Sequence, residues 1–245
     1  ETGIAQDMGY AERDPSQDVN GTDTFYKLSI LLGITANTYN FPTKFPRTGI
    51  EDVRVEDIRY GGELGYRMKL LGKIELKDGE IYAEVTPAFV RRDSILGSVF
   101  GEYNGVEIED EFGMRSGLIA PGAGKYATAQ AILKDLYDIA RGHGTPMPEG
   151  DTELYIKDTD ELERGFYLRF MVVDKPGVLA QISGVFGRYG VSISAVIQKE
   201  ATGREVVPVV MLLYPSKGKT VKKALEEIDS FPIIKEKTKL IPIEG

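Results

Sequence analysis

The apolar run Leu28 to Ile34 has helical spacing, and the residues just before it read as a helix start. Asn20 is placed as the N-cap and Asp23 as the third helical residue, close to a capping box. Ile50 to Gly65 mixes acids and apolar residues at the same spacing. Arg67 to Leu76 then alternates around Leu70, Gly72 and Ile74. Ile81 to Val90 sets Ile81, Ala83 and Val85 against Tyr82, Glu84 and Thr86. Lys77-Asp78-Gly79-Glu80 between them carries the Asp-Gly pair of a tight turn. This predicts an antiparallel hairpin with one buried face.

A short helix is predicted at Ser94 to Phe100, a strand at Tyr103 to Ile108, and its partner at Met114 to Ala120. The helix Tyr126 to Arg141 carries the apolar stripe Ala129, Ile132, Leu133, Leu136, Ile139 and Ala140. The first part is therefore α+β, an antiparallel or mixed sheet covered by helices. Periodicity lapses between Gly142 and Asp151, where Gly, Pro and Thr dominate, so the domain boundary is placed there, giving 1–150 and 151–245. The second part reads as strand (Phe166 to Val173), helix (Val178 to Arg188), strand (Val191 to Gln198), strand (Glu205 to Tyr214), helix (Thr220 to Asp229) and a short last strand (Phe231 to Lys235). That order is βαββαβ, the ferredoxin-like split βαβ sandwich.

Composition narrows the chemistry. The net charge of −8 and the lack of a basic run disfavour a nucleic-acid partner. No apolar stretch reaches membrane-span length and no signal peptide is visible, so no membrane association is expected. With no cysteine, thiolate chemistry and zinc-thiolate sites are excluded, which suits a cytoplasmic setting. The one histidine, His143, leaves little material for a His-based triad or metal centre, and no metal is expected. The chain opens on Glu1 rather than methionine, which reads as processing or excision from something longer.

The densest chemistry lies in Gly9 to Lys27. Glu12, Asp14, Asp18 and Asp23 surround Lys27, and Pro15 and Asn20-Gly21 break the chain between them. Asp23 and Lys27 are four apart and leave one helix face. A lysine among acids can hold an ammonium group nearby and still donate a proton. The same spacing also fits a solvated surface ion pair, with Asp23 serving only the helix dipole.

The pattern G-Y-A-E-x-D-P followed by D-x-N-G-x-D-x-x-x-K resembles the substrate segment of homoserine dehydrogenase, which interconverts homoserine and aspartate semialdehyde with NAD(P). Glu63-Leu64-Gly65-Tyr66-Arg67-Met68-Lys69-Leu70-Leu71-Gly72 and Val85-Thr86-Pro87 through Asn104-Gly105-Val106 extend the likeness. The resemblance implies that Glu12 and Asp23 bind the substrate's amino end, that Lys27 gives the proton to the carbonyl oxygen, and that Asp18 is a further active-site acid. It also implies a homodimer or tetramer formed through the sheet, and a dinucleotide fold ahead of the substrate segment that is not in this sequence. These 245 residues alone are then expected to be inactive. Arg13 departs from the family pattern outside the implied chemistry.

Gly122-x-Gly124-x-x-Ala127 matches a dinucleotide fingerprint on paper, yet the further β–α units of such a fold do not follow. The resemblance instead makes Gly122 a contact at the nicotinamide end. The competing reading is that Gly122 and Gly124 only supply positive φ before the helix. Relatives carry glycine at Ala120 and Lys125 and proline at Ala127.

In the second part, Asp174-Lys175-Pro176-Gly177-Val178-Leu179-Ala180 and Val191 to Gln198 resemble an ACT domain, a regulatory module that pairs through its sheet and binds an amino acid. Free N–H groups at the turn before the first helix suit a carboxylate. The resemblance places Asp174, Gly177, Val178 and Gln198 near the effector, threonine; an ACT domain that only dimerises is the competing reading. An amino-acid sensor on a non-catalytic scaffold, and a dehydrogenase for a related semialdehyde, are the alternatives to the enzyme as a whole.

Overall fold

Asp78 and Gly79 both take positive φ, 53° and 77°. They close a two-residue turn between β1 (Tyr66–Lys77) and β2 (Glu80–Arg91), which pair antiparallel from Tyr66↔Arg91 to Lys77↔Glu80. This hairpin is one end of a seven-stranded mixed sheet in a computed structural model that describes residues 14–143, 148–198 and 205–245. The sheet runs β1-β2-β9-β6-β8-β7, with β5 (Ile156–Lys157) also on β2.

The other strands are β6 (Glu163–Val173), β7 (Ile193–Gln198), β8 (Val206–Lys217) and β9 (Ile234–Glu244). With α5 (Val178–Arg188) and α6 (Gly218–Asp229) they form the βαββαβ unit. Phe166, Leu168, Phe170 and Val172 on one side of β6 pack with Ile182, Val185, Phe186, Val221, Leu225 and Ile228 of the two helices. The alternate residue Tyr167 faces the other way, onto Tyr60 and Phe89.

On that second face lie α2 (Thr22–Thr35) and α3 (Val55–Glu63). Leu28 and Leu32 of α2 pack with Ala83 and Val85 of β2, and Phe45 stacks on Phe25 at 4.1 Å between ring centres. A short α1 (Ser16–Val19) precedes α2. Asn20 accepts from the Thr22 N–H at 2.9 Å, but Gly21, at φ 78°, is the N-cap, so Asp23 is the second helical residue. The glycine's left-handed backbone ends α1 and starts α2 one residue later than the sequence pattern predicts.

Three other expectations are corrected. β2 does not have one buried face, because Glu84, expected outward, is also buried against Arg164. The last strand runs eleven residues rather than five, because Leu240, Ile241 and Ile243 continue it past the charged Lys235–Lys237 and carry it to β2 through Phe89↔Ile243. The helix expected at Ser94 to Phe100 is only a 3₁₀ turn, Leu96–Ser98, because the backbone folds closely over Gly97: a Cβ there would lie 2.0 Å from the Arg91 carbonyl oxygen.

A separate two-stranded ribbon, β3 (Tyr103–Glu109) and β4 (Arg115–Pro121), leads into α4 (Lys125–Ala140). α4 was expected to cover the sheet. It has no buried residue, and its stripe of Ile132, Leu133, Leu136 and Ile139 is exposed.

Candidate active site and effector turn

The start of α2 is held in place from below. The segment Pro46–Ile50 runs along β2: Val85 N–H donates to the Pro46 carbonyl and Thr48 N–H to the Val85 carbonyl, at 2.9 and 2.8 Å. Ile50 N–H then donates to the Val19 carbonyl at 2.8 Å, fixing the Val19–Gly21 turn. Gly49 permits this approach, since a Cβ on it would lie 2.4 Å from the Val19 oxygen and 2.6 Å from the Asn20 Cα.

From that base Lys27 Nζ reaches Asp23 Oδ2 at 2.7 Å. The side chains are 55 % and 43 % exposed. An exposed pair of this kind contributes little to stability, ~0.2–1 kcal/mol. Beside and beyond it α2 exposes the apolar side chains Tyr26, Ile30, Leu31 and Ile34. A groove of about 1130 Å³ flanks the same helix between Tyr26, Ile30 and the Phe41–Arg47 segment. Lys27 and Asp23 stand on the adjoining face rather than in its lining.

The predicted acids are only partly assembled. Asp23 meets Lys27; Asp18, on α1, is exposed and its carboxylate makes no hydrogen bond or ion pair among the described residues. Glu12 lies outside the described residues. Among the described residues no cluster of His, Cys, Asp and Glu could hold a metal ion.

The glycine turn divides the two readings of its glycines. Gly124 takes positive φ, 103°, as the N-cap of α4. Gly122 does not; its N–H donates to the Glu102 carbonyl at 2.8 Å, and the Asn104 carboxamide lies against its Cα. A Cβ on Gly122 would lie 2.2 Å from Asn104 Nδ2. Asn104 entered the sequence reading only as a family marker, and nothing in its neighbourhood along the chain signals this contact.

At the other end of β6, Asp174, Gly177, Val178 and Gln198 come together. With Val172, Val173, Lys175 and Leu179 they line a cavity of about 360 Å³. Gly177 caps α5 with φ 88°, leaving the first-turn N–H groups of α5 without helical partners. The turn is fastened at its start by Asp174 N–H donating to the Glu205 carbonyl at 3.1 Å.

Sequence comparison decides the family. The homoserine dehydrogenase family pattern matches residues 2–137 and the ACT domain pattern matches residues 166–232. The chain belongs to the homoserine dehydrogenase family. It is 32 % identical to homoserine dehydrogenase of Neisseria gonorrhoeae, over 98 % of this chain and 58 % of that one. The enzyme of Helicobacter pylori is 29 % identical over the same shares. The crystal structure of a homoserine dehydrogenase from Thiobacillus denitrificans superposes with a TM-score of 0.85 at 30 % identity, covering all of this chain and 57 % of that one. That of the S. aureus enzyme at pH 7.0 shares the fold, with a TM-score of 0.71. This homoserine dehydrogenase family chain thus spans between half and two thirds of the length of the relatives it matches.

Proposed function

We propose that these residues are the substrate-binding and regulatory part of an enzyme that interconverts L-homoserine and L-aspartate 4-semialdehyde. The single observation that carries the reading is the Lys27–Asp23 pair at 2.7 Å, set beside exposed apolar side chains of α2 within a family-matched segment. Left bare, that pair is worth almost nothing to the fold. Covered by a nucleotide-binding domain, it becomes a desolvated proton donor with an anionic partner.

In this reading Asp23 orients the Lys27 ammonium and, with Glu12, holds the substrate's amino group, while Asp18 is a further active-site acid. Lys27 delivers its proton to the carbonyl oxygen as the aldehyde is reduced and recovers one from the hydroxyl in the reverse direction. NAD(P), when bound, supplies or accepts the hydride. Gly122, whose Cβ side is filled by the Asn104 carboxamide, is the residue this reading gives to the nicotinamide end of the cofactor. The division at residue 150, a homodimer or tetramer, and a cytoplasmic setting belong to the same proposal.

The regulatory half of the reading places an amino acid, threonine, in the cavity at Asp174, Gly177, Val178 and Gln198. Its support is the geometry: free helix N–H groups for a carboxylate and two polar side chains beside them.

The test compares two proteins. The full-length enzyme is expected to oxidise homoserine with NAD(P), and residues 1–245 alone are expected to show no turnover. Turnover by residues 1–245 alone, or none by the full-length protein, contradicts the reading.

A further inference from the structure

The fully buried carboxylate in the described structure outside the candidate site is Asp57, in the first turn of α3. Its partners come from the regulatory unit. Arg169 of β6 donates from Nε to Oδ1 at 2.7 Å and from Nη2 to Oδ2 at 3.2 Å. Tyr167, two residues earlier on the same strand face, donates its hydroxyl to Oδ1 at 3.0 Å. The remaining bond to Asp57 is local: Arg54 N–H donates to Oδ2 at 3.3 Å, and the Arg54 guanidinium is itself paired with Glu236 of β9 at 2.8 Å. The start of α3 is therefore clamped by two strands of the regulatory unit.

From Arg54 the chain is short and tied. Val53 N–H donates to the Ile50 carbonyl at 3.0 Å, and Ile50 N–H to the Val19 carbonyl at 2.8 Å. Val19 ends the helix that carries Asp18, and Gly21 starts the helix that carries Asp23 and Lys27. Each link is a direct hydrogen bond or a few residues of chain. Gly49, with no room for a Cβ, leaves the Ile50 contact little freedom to shift.

We propose that Asp57 is a positioning residue for the substrate segment: gripped by Arg169 and Tyr167, it fixes the Arg54–Ile50 turn and through it the Val19–Gly21 turn from which Asp18, Asp23 and Lys27 project. The claim rests on the proposed function for what those three residues do, but not for where they are held. It makes β6 a shared element, since the same strand ends at the Asp174 turn. It requires no second state of the protein, only that loosening the clamp loosens the segment.

The test uses the full-length enzyme with Tyr167→Phe, which removes one bond to Asp57 and keeps the ring, and with Asp57→Asn. Hydrogen exchange is followed at Ile50 and across residues 16–27, with residues 182–188 of α5 as the internal reference. In Tyr167→Phe, exchange at Ile50 and residues 16–27 is expected to rise about 5-fold, the worth of one hydrogen bond in an opening equilibrium, with α5 unchanged. The KM for homoserine rises while the KM for the nucleotide stays. Asp57→Asn moves both readouts further in the same direction. Unchanged exchange at Ile50 and residues 16–27 in Tyr167→Phe overturns the proposal, even if Asp57→Asn does not fold. Turnover of homoserine by the wild type bears only on the proposed function, whereas the exchange pattern bears only on this inference.

Discussion

Arg164 of β6 and Glu84 of β2 form an ion pair in which both side chains are more than nine-tenths buried. Thr159 donates its hydroxyl to Glu84 Oε2 at 2.7 Å, and Arg164 reaches Glu244 Oε1 at 3.1 Å. Glu244 in turn meets Lys73 of β1 at 2.7 Å. Burial weakens the charged form of Arg164, but the hydrogen bonds and charges of Glu84 and Glu244 more than offset it. One Arg164 nitrogen, Nε, stays buried without a partner, so the network is not fully satisfied.

That arrangement predicts an asymmetry. Arg164→Ala leaves Glu84 buried and unpaired and is expected to cost about 3–5 kcal/mol. Replacing both members with apolar residues, Arg164→Met with Glu84→Leu, is expected to recover most of that loss, since the pair's attraction hardly exceeds its desolvation cost. Urea unfolding of the two variants and the wild type measures both. A double variant as unstable as the single one would mean that the pair contributes net stability.

Two helical glycines should respond oppositely to alanine. Gly61 on α3 faces the Phe89 ring, where a Cβ would come within 2.1 Å, while Gly184 on α5 has open space. Helix propensity favours alanine at both by ~1 kcal/mol. At Gly61 overpacking of about 1–3 kcal/mol wins, so Gly61→Ala destabilises. Gly184→Ala stabilises. Denaturant midpoints of the two variants give the signs directly.

Tyr167 adds a pH dependence. Its burial, and then the negative charge of Asp57, push the phenol above its ordinary value of 10.0. The folded protein keeps this proton where the unfolded chain has lost it. The stabilisation is therefore complete below about pH 10 and declines as pH rises above that. Tyr167→Phe loses a hydrogen bond worth roughly 1 kcal/mol at neutral pH, and the gap to wild type should shrink in alkaline solution. A gap that stays constant above pH 10 contradicts this assignment.

The effector turn predicts a ligand response. With threonine at about 100 times its dissociation constant, binding stabilises by roughly 2.7 kcal/mol, a rise in melting temperature of about 5–10 °C for a protein of this size. Gly177→Val, which puts a β-branched side chain at φ 88°, should abolish the shift. No shift with any amino acid would leave the unit as a pairing module only.

Local signals carried most of the fold. Asp78-Gly79 marked its turn because only a few residue types accept two successive positive φ values, and the βαββαβ order followed from apolar strand segments set between turns and one-sided helices. What escaped notice was set by partners far along the chain. Glu84 sits at a position that alternation assigns to solvent, and Thr159 and Arg164, seventy-five and eighty residues on, bury it. Asp57 is one acid among several between Ile50 and Gly65, and nothing local marks it; Arg169 makes it the centre of the join between the two halves. Lys27 and Asp23 could be paired from their spacing alone; Asp18 could not, because it lies on a separate short helix before Gly21, where spacing on one helix face does not apply. The stripe on α4 is apolar as its spacing predicts, but among the described residues nothing buries it.

The proton-donor role of Lys27 can be tested in the full-length enzyme with Lys27→Ala, by measuring kcat and KM for homoserine. Turnover is expected to fall at least ~10²-fold, the usual worth of a positioned proton donor, with KM changed little. Turnover within a few-fold of wild type would contradict the role given to that amine.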